Sequence, residues 1–131
     1  MAAAGRDFDA ESQIIGAADA WVTLSGTTYS YGSVVDMDLK AVAEVAVEVN
    51  FDSTPTDFVD VYLFPCRDAT PTNPDDVGKF LARMDKAVDP CQRTFQIQCD
   101  HRYWRIGVVQ SGSTDSHDVR AYSRTYVWTV A

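Results

Sequence analysis

The stretch that decides the fold is Val-Asp-Met-Asp-Leu-Lys-Ala-Val-Ala-Glu-Val-Ala-Val-Glu-Val-Asn-Phe, residues 35–51. Every odd position in it is apolar, and the even positions are polar apart from Val42 and Ala46. An apolar side chain at every second residue is typical of a β-strand that buries one face and exposes the other to water. The pattern therefore predicts a sheet with a clearly divided inner and outer face.

This stretch is too long to be one straight strand of a small domain. At about 3.3 Å per residue it would reach about 56 Å, whereas a single domain of 131 residues has a radius of gyration near ~14 Å. We expect a bend near residues 40–43, where the side chains of Ala41 and Ala43 are small. The stretch would then supply two strands whose alternation stays in phase.

Shorter alternating segments follow downstream. Val59, Val61 and Leu63 alternate before Pro65, which is expected to close their strand because proline cannot donate to a hydrogen-bond ladder. Residues 103–109 are dense in apolar side chains and predict a central strand. Strands of this length, separated by turn residues about every ten positions, are typical of a β-sandwich.

The sequence as a whole predicts an all-β fold, an antiparallel β-sandwich of jelly-roll-like type. Residues 119–130 predict its last strand. Residues 78–88 fit either a strand or a helix, and we favour the strand because the rest of the chain is extended. Residues 1–18 are small and polar without periodicity, and they predict a flexible N-terminal arm in front of one sandwich domain, residues 19–131.

Composition narrows the classes of function. The formal net charge of −8 argues against direct binding of nucleic acid, whose affinity comes mainly from neutralised phosphates. No apolar run approaches the ~18 residues of a membrane helix, and no secretory signal is recognisable, so we expect synthesis in the cytoplasm and no membrane partner. Three cysteines and two histidines show no metal-binding spacing, so neither a metal nor another cofactor is expected.

Charge is distributed unevenly along the chain. Acidic side chains occupy polar positions of residues 35–51, and arginines outnumber carboxylates beyond residue 92. Such charges pair either between neighbouring strands of one molecule, which we favour, or between subunits. The candidate interface residues are Asp36, Asp38, Glu44, Glu48, Arg102, Arg105, Arg120, Tyr122, Arg124 and Tyr126.

Motifs for catalysis are weak, and we expect no catalytic residues. The run Ser116-His117-Asp118 contains the residue types of a hydrolase triad, but adjacent side chains of an extended chain point to opposite faces, so a solvated turn is predicted. His101 also lies in a predicted turn. Residues 68–76 hold three aspartates and Asn73, the best set for calcium, which we do not favour.

Aromatic residues divide between core and surface. Alternation places Trp104 in the core and Tyr103 with Arg105 on the opposite face. Tyr122, Tyr126 and Trp128 share one face of the last strand, where an aromatic stripe is usually core. Facing outward, they would instead form a binding surface, because tyrosine, tryptophan and arginine anchor interfaces.

Three segments resemble small bacteriophage virion proteins of a loose, jelly-roll-like family. Residues 61–68, Val-Tyr-Leu-Phe-Pro-Cys-Arg-Asp, are similar to the family's Val-Tyr-Leu-Leu-Pro-Ser-x-Asp-Gly strand and turn, with Ala69 in place of the glycine. Residues 95–109 resemble its late strand, and residues 111–126 its Ser-Gly turn and final strand. The resemblance covers roughly residues 35–130, and it also implies a strand at residues 78–88.

The resemblance implies a non-enzymatic structural part of a phage particle, made in the host cytoplasm and located in the virion. The leading expectation is a capsid decoration or cement protein that stabilises the shell by self-association, often as a trimer, and by contacts with the major capsid protein. One alternative is a head–tail or tail accessory protein that contacts portal or tail components. Another is a carbohydrate-binding module of a host-adsorption structure, which needs coplanar outward aromatic rings.

Overall fold

The computed structural model describes residues 5–8, 10–38, 42–70, 78–86, 92–98 and 101–129. These ranges hold eleven β-strands and no helix, so they contain no helix long and apolar enough to cross a membrane. The strands are β1 (Gly5–Phe8), β2 (Ser12–Ile15), β3 (Val22–Thr23), β4 (Ser30–Tyr31), β5 (Val35–Asp36), β6 (Val42–Asn50), β7 (Val59–Cys66), β8 (Lys79–Met84), β9 (Gln92–Ile97), β10 (Tyr103–Gln110) and β11 (Asp118–Thr129).

The strands form two antiparallel sheets that pack face to face, which confirms the predicted sandwich. The first sheet has the order β1-β11-β6-β9, and β2 and β3 also pair with β11. The second sheet has the order β4-β10-β7-β8, and β5 also pairs with β10. The long strands β10 and β11 are therefore central in their sheets, as the density of apolar residues in 103–109 predicts for β10.

The order of strands follows the jelly-roll pattern. Because β1, β2 and β3 share one partner and β4 and β5 share another, the chain supplies eight strand positions. In chain order, positions one, eight, three and six form the first sheet, and positions two, seven, four and five form the second. The chain thus crosses repeatedly between the sheets, as in the double-sheet jelly roll.

The stretch that predicts the fold does supply two strands, and they belong to different sheets. Strand β5 pairs with β10, and β6 pairs with β11 and β9. The chain leaves the second sheet after Asp36, and residues 39–41 lie outside the described ranges. In β6 the odd positions are buried and the glutamates at even positions are only partly covered, which confirms the alternation.

The N-terminal segment differs from the predicted flexible arm. Strands β1 and β2 pair with β11, so residues 5–8 and 12–15 belong to the first sheet. The register shifts between Ala121 and Tyr122, and Ile14 falls at this irregularity. Because an extra residue there breaks the alternation, Ile14 and Ile15 are both buried, at 6% and 2% exposure. Burying two isoleucines stabilises the segment on the sheet.

Residues 79–84 form strand β8, as we favoured over a helix. Of the other predicted residues, 78, 85 and 86 are not in the strand, and 87 and 88 lie outside the described ranges. Val61 pairs with Ala82, but Tyr62 pairs with Phe80, so Leu81 is an extra residue in β8. Because of this bulge, Ala82 and Phe80, two residues apart, point to opposite faces of the sheet. Ala82 is therefore buried, whereas Phe80 points outward at 51% exposure.

Pro65 does not end its strand, contrary to the prediction from its missing N–H group. Strand β7 continues to Cys66, and Pro65 pairs with Trp104 of β10. Pairing with β8 stops at Leu63, opposite Lys79. Pro65 thus lies where β7 has no neighbour on the β8 side among the described residues, and the absent donor costs no ladder bond there.

The core fills the space between the two sheets. It is built from inward valines, isoleucines and leucines of β6, β7, β10 and β11, together with Met84 of β8. Trp104, predicted to be a core residue, has 0% exposure. With the inner faces committed to one another, only the outer faces, the edges and the loops remain for contacts with other molecules.

Candidate functional site

Aromatic residues cover the outer face of the second sheet, whereas the outer face of the first sheet is mostly polar. In β7, Val61 and Leu63 face the core, so Tyr62 and Phe64 face outward. The bulge in β8 adds Phe80, and β4 with the residue before it adds two tyrosines. We call this cluster the aromatic face; its members are Tyr29, Tyr31, Tyr62, Phe64 and Phe80.

Two glycines make room for the central ring of the aromatic face. A Cβ atom added at Gly107 would lie 2.5 Å from Cε2 of Phe64, and one at Gly78 would lie 2.6 Å from the same ring. Gly107 is also opposite Tyr31 and Tyr62 in the sheet. Because both positions lack a side chain, the Phe64 ring lies flat against the backbone and is only 6% exposed.

We expect Gly107→Ala to displace the Phe64 ring and to lower the free energy of unfolding by about 1–3 kcal/mol, the usual cost of overpacking. Urea denaturation followed by circular dichroism measures it. In a Phe64→Leu background the same substitution should cost clearly less, because the clashing ring is absent. Equal costs in the two backgrounds would show that Phe64 does not determine the need for glycine.

The rings of the aromatic face meet mostly edge to face. Tyr29 contacts Phe64 at 5.3 Å and 86°, Tyr31 contacts Phe64 at 5.2 Å and 75°, and Tyr62 contacts Phe80 at 5.5 Å and 69°. Only Tyr29 and Tyr31 stack, at 22°. Edge-to-face pairs are attractive beyond their buried area, so the cluster is a closely packed surface and not a row of parallel rings.

Two rings remain open to solvent, Tyr31 at 37% and Phe80 at 51% exposure. Burial raises the pKa of the Tyr29 hydroxyl above its ordinary value, and the neighbouring hydroxyls of Tyr62 and Tyr31 raise it further. Tyr29 therefore stays neutral well above physiological pH. The aromatic face therefore offers two exposed rings, Tyr31 and Phe80, to a binding partner.

Arg105 lies on this surface as a cation, and the described residues provide no carboxylate that pairs with it. Its guanidinium carbon is 3.9 Å from the centre of the Tyr31 ring. Its Nε is buried and makes no hydrogen bond, and no ion pair joins Arg105 to a carboxylate of the described residues. Tyr31 compensates part of its charge through the cation–π interaction.

The neighbouring arginines of the second sheet are paired, by contrast. Arg83 donates to both carboxylate oxygens of Asp60, at 2.8 and 3.0 Å. Arg102 donates likewise to Asp36, at 2.8 and 3.1 Å, and lies 3.8 Å from Asp38. Hydrogen bonding from Arg102 holds the pKa of Asp36 below its ordinary value. The ion pairs of Arg83 and Arg102 thus contrast with Arg105, which pairs with no carboxylate of the described residues.

The predicted interface residues of the first sheet pair with one another within the molecule. Arg124 donates to Glu44 at 3.0 Å, and Arg120 donates to Glu48. The register places both pairs directly across β11 and β6. The interpretation that opposite charges join neighbouring strands of one molecule is therefore the one this structure supports.

Tyr122 and Tyr126, the two aromatic residues of β11 whose side chains the structure describes, do not form an open platform. Tyr126 is 3% exposed. The Tyr122 hydroxyl donates to Asp19 at 2.5 Å, and this hydrogen bond raises the pKa of Tyr122. The Trp128 side chain lies outside the description. Tyr103 is half-buried on the second sheet, beneath the Arg102 guanidinium at 5.1 Å.

His117 is not in a solvated turn, as its polar neighbours predict, but is fully buried. Its Nδ1 accepts a hydrogen bond from the Asp52 amide at 3.0 Å, and its Nε2 lies 3.3 Å from Oδ2 of Asp115. The Asp115 carboxylate also accepts from the Thr56 and Asp57 amides, at 2.6 and 2.7 Å. The pair fastens the loop before β11 to the loop before β7.

This His–Asp pair has no path for a substrate. The side chains of His117 and Asp115 are 0% and 4% exposed. Ser116 and Asp118, which complete the triad-like run, do not face the imidazole; the Asp118 carboxylate accepts from Thr23 at 2.6 Å. The arrangement is suited to holding loops together.

Nothing among the described residues gathers ligands for a metal ion. No group of three histidine, cysteine or carboxylate side chains converges within the described ranges. Asp68 of the calcium candidate is bonded to the amide of Thr70 at 3.0 Å, and residues 71–77 lie outside the described ranges. His101 is exposed.

A cleft of about 300 Å³ lies between β2, residues 33–36 and β11. Its charged lining residues, Asp36 and Arg124, are already engaged with Arg102 and Glu44. Ser123, at 5% exposure, contributes a hydroxyl that has no hydrogen-bond partner. One hydroxyl alone gives this cleft little selectivity for a ligand. The aromatic face, with the Arg105 guanidinium beside it, is therefore the better candidate for a binding site.

The interface residues predicted from the sequence thus include Arg105, which lies on the aromatic face, but none of the five aromatic residues that form this face. No protein-family model matches the sequence, and no curated protein matches it. Function is therefore inferred from the geometry of the sheets and from the phage-protein resemblance.

Proposed function

We propose that this protein is a non-enzymatic structural component of a phage virion, a decoration or cement protein that docks onto its neighbours through the aromatic face. The supporting observation is the packed cluster of rings with exposed Tyr31 and Phe80, next to Arg105. Tyrosine, phenylalanine and arginine are enriched in the centres of protein interfaces, where they contribute most of the binding energy. The jelly-roll order of strands is compatible with the resemblance to small phage proteins.

Assembly fits this surface better than carbohydrate binding does. A sugar ring stacks on an open aromatic face, and two or three coplanar rings would be needed for a chain of sugars. The exposed Tyr31 ring is instead covered by the Arg105 guanidinium and stacks on Tyr29. Phe80 meets Tyr62 edge to face. The cluster therefore suits a shaped protein surface.

Docking depends on the exposed rings, so a Tyr31→Ser, Phe80→Ser double variant should bind particles at least about tenfold less than the unchanged protein. The measurement is co-sedimentation of the purified protein with particles of the phage that encodes it, from which this protein has been stripped. Multi-angle light scattering reports its oligomeric state in parallel.

Trp21→Ser provides the matched control, because Trp21 is also an exposed ring, at 39%, but belongs to the other side of the sandwich. It should bind particles like the unchanged protein, and circular dichroism should show that both variants fold. A stable monomer that never co-sediments with particles would contradict the proposal. So would a double variant that binds as tightly as the control.

A further inference from the structure

We propose that the aromatic face recognises a carboxylate on its protein partner, an aspartate or glutamate flanked by apolar side chains, through the Arg105 guanidinium. This inference rests on the proposed docking function and adds the chemistry of the partner. It follows from the Arg105 guanidinium, which pairs with no carboxylate of the described residues.

Arg105 differs from the other arginines of the sandwich whose ion pairs the structure describes. Arg83, Arg102, Arg120 and Arg124 each hold a carboxylate of the same molecule. Arg105 is half-buried on β10, and its guanidinium lies over the Tyr31 ring. In a chain with a net charge of −8, carboxylates are abundant, yet none of those on the described residues pairs with Arg105.

The setting of Arg105 makes a carboxylate the fitting ligand. Packing on Tyr31 restricts the guanidinium, so less conformational entropy is lost when it binds. A partner that covers Tyr31 and Phe80 would also exclude water from the cation, and an unpaired charge is costly in such a place. A carboxylate forms charge-assisted, often bidentate, hydrogen bonds with arginine. Apolar residues beside it would cover the exposed rings.

A second copy of this chain is a poor occupant of the same surface. A two-fold symmetric contact uses the same surface patch on both subunits. Two Arg105 guanidiniums would then be buried in one interface with no described carboxylate to pair with them, and uncompensated like charges in an interface oppose binding. The complementary surface therefore belongs to a different protein.

The probe is a pair of seven-residue peptides, Gly-Ser-Leu-Glu-Leu-Ser-Gly and its counterpart with glutamine at the centre. They are titrated into the ¹⁵N-labelled protein at low salt, where charge pairing is strongest. The glutamate peptide should shift the amide signals of Tyr31, Arg105 and Gly107, and it should bind at least about fivefold more tightly than the glutamine peptide, as expected for one charge-assisted hydrogen bond.

Arg105→Gln should abolish this preference and leave the weak binding of the glutamine peptide unchanged. Arg93→Gln is the matched control, because Arg93 is an exposed arginine beside an aromatic ring, Phe95 at 5.8 Å, on the other sheet. It removes the same charge and should preserve the preference. Equal binding of the two peptides would overturn the inference, and so would a preference that survives Arg105→Gln.

Digalacturonate serves as a third probe. If it shifts the same signals at lower concentration than the glutamate peptide, the surface reads an acidic sugar and the inference is overturned. Failure of the inference is distinguishable from failure of the docking function. In the first case Arg105→Gln still co-sediments with particles and the Tyr31→Ser, Phe80→Ser variant does not; in the second, all variants behave like the unchanged protein.

Discussion

Trp104→Ala is expected to lower the free energy of unfolding by about 3–5 kcal/mol, the usual cost of truncating a buried tryptophan to alanine. Trp104 has 0% exposure and belongs to the cluster between the sheets. A domain is stabilised by only about 5–15 kcal/mol in total. The variant should therefore unfold at much lower urea concentrations, as followed by far-ultraviolet circular dichroism.

Two further tryptophan substitutions distinguish the effect of burial from the effect of the unsatisfied indole N–H group. The indole Nε1 of Trp104 has no hydrogen-bond partner, so Trp104→Phe removes an unsatisfied donor and should cost clearly less than Trp104→Ala. Trp21 is 39% exposed beneath Arg120, so Trp21→Ala should cost less than about 1 kcal/mol. Similar losses for Trp21→Ala and Trp104→Ala would place Trp104 outside the core.

Asp115→Asn should lower the melting temperature by roughly 5–10 °C. The carboxylate accepts hydrogen bonds from the Thr56 amide, the Thr56 hydroxyl and the Asp57 amide, at 2.6, 3.1 and 2.7 Å. An asparagine would turn an NH2 group toward some of these donors. Asp118→Asn is the control, because Asp118 is half-buried and accepts only from the Thr23 side chain in the described hydrogen bonds. It should shift the melting temperature much less.

The same carboxylate should make stability sensitive to acid. Burial alone would raise the pKa of Asp115, but hydrogen bonds from Asp57 and Thr56 outweigh it and hold the pKa below its ordinary value. Above the unfolded pKa of about 3.9 the contribution of this group is complete, and it is lost as the pH falls through the lower folded pKa. The fall in melting temperature between pH 5 and ~pH 3 should be smaller in Asp115→Asn; an identical fall would exclude Asp115 as a source.

Much of the fold is predictable because period-two patterns report burial directly. Val47 and Val49 alternate with Glu48 and Asn50, and a strand is the only regular element that buries such a set on one side. The length of the stretch also predicts the break into β5 and β6. Which sheet each strand joins is set by pairings with residues far away in the chain, and no local pattern encodes them.

The errors arise where distant partners change the environment of a residue. His117 has the neighbours of a turn, but the Asp52 amide of another loop donates to it, and the Thr56 and Asp57 amides of that loop donate to the adjacent Asp115 carboxylate. Because these loop residues are far from His117 in the sequence, the local pattern around His117 does not predict its burial. In residues 12–15 the alternation is broken because Ile14 lies at an irregularity in the ladder, so no strand pattern is visible there in the sequence.

One signal could have revealed the aromatic face. Strand β7 is apolar on both sides, with Tyr62 and Phe64 between the core positions, although an outer face in water is usually polar. Arg105 was among the predicted interface residues, but its lack of a counter-ion is visible only when the positions of all carboxylates around it are known. Phe80 faces outward because of the bulge at Leu81, and no local sequence pattern predicts that bulge.

The central place of β11 in the first sheet has a consequence for synthesis on the ribosome. Strands β1, β2, β3 and β6 all pair with it, yet it is made after all of them. Until its residues leave the exit tunnel, β6 has only β9 as a partner and one long edge open to other chains. Folding must therefore wait for non-local pairing, which is slow, and nascent copies on neighbouring ribosomes are exposed to mispairing during that interval.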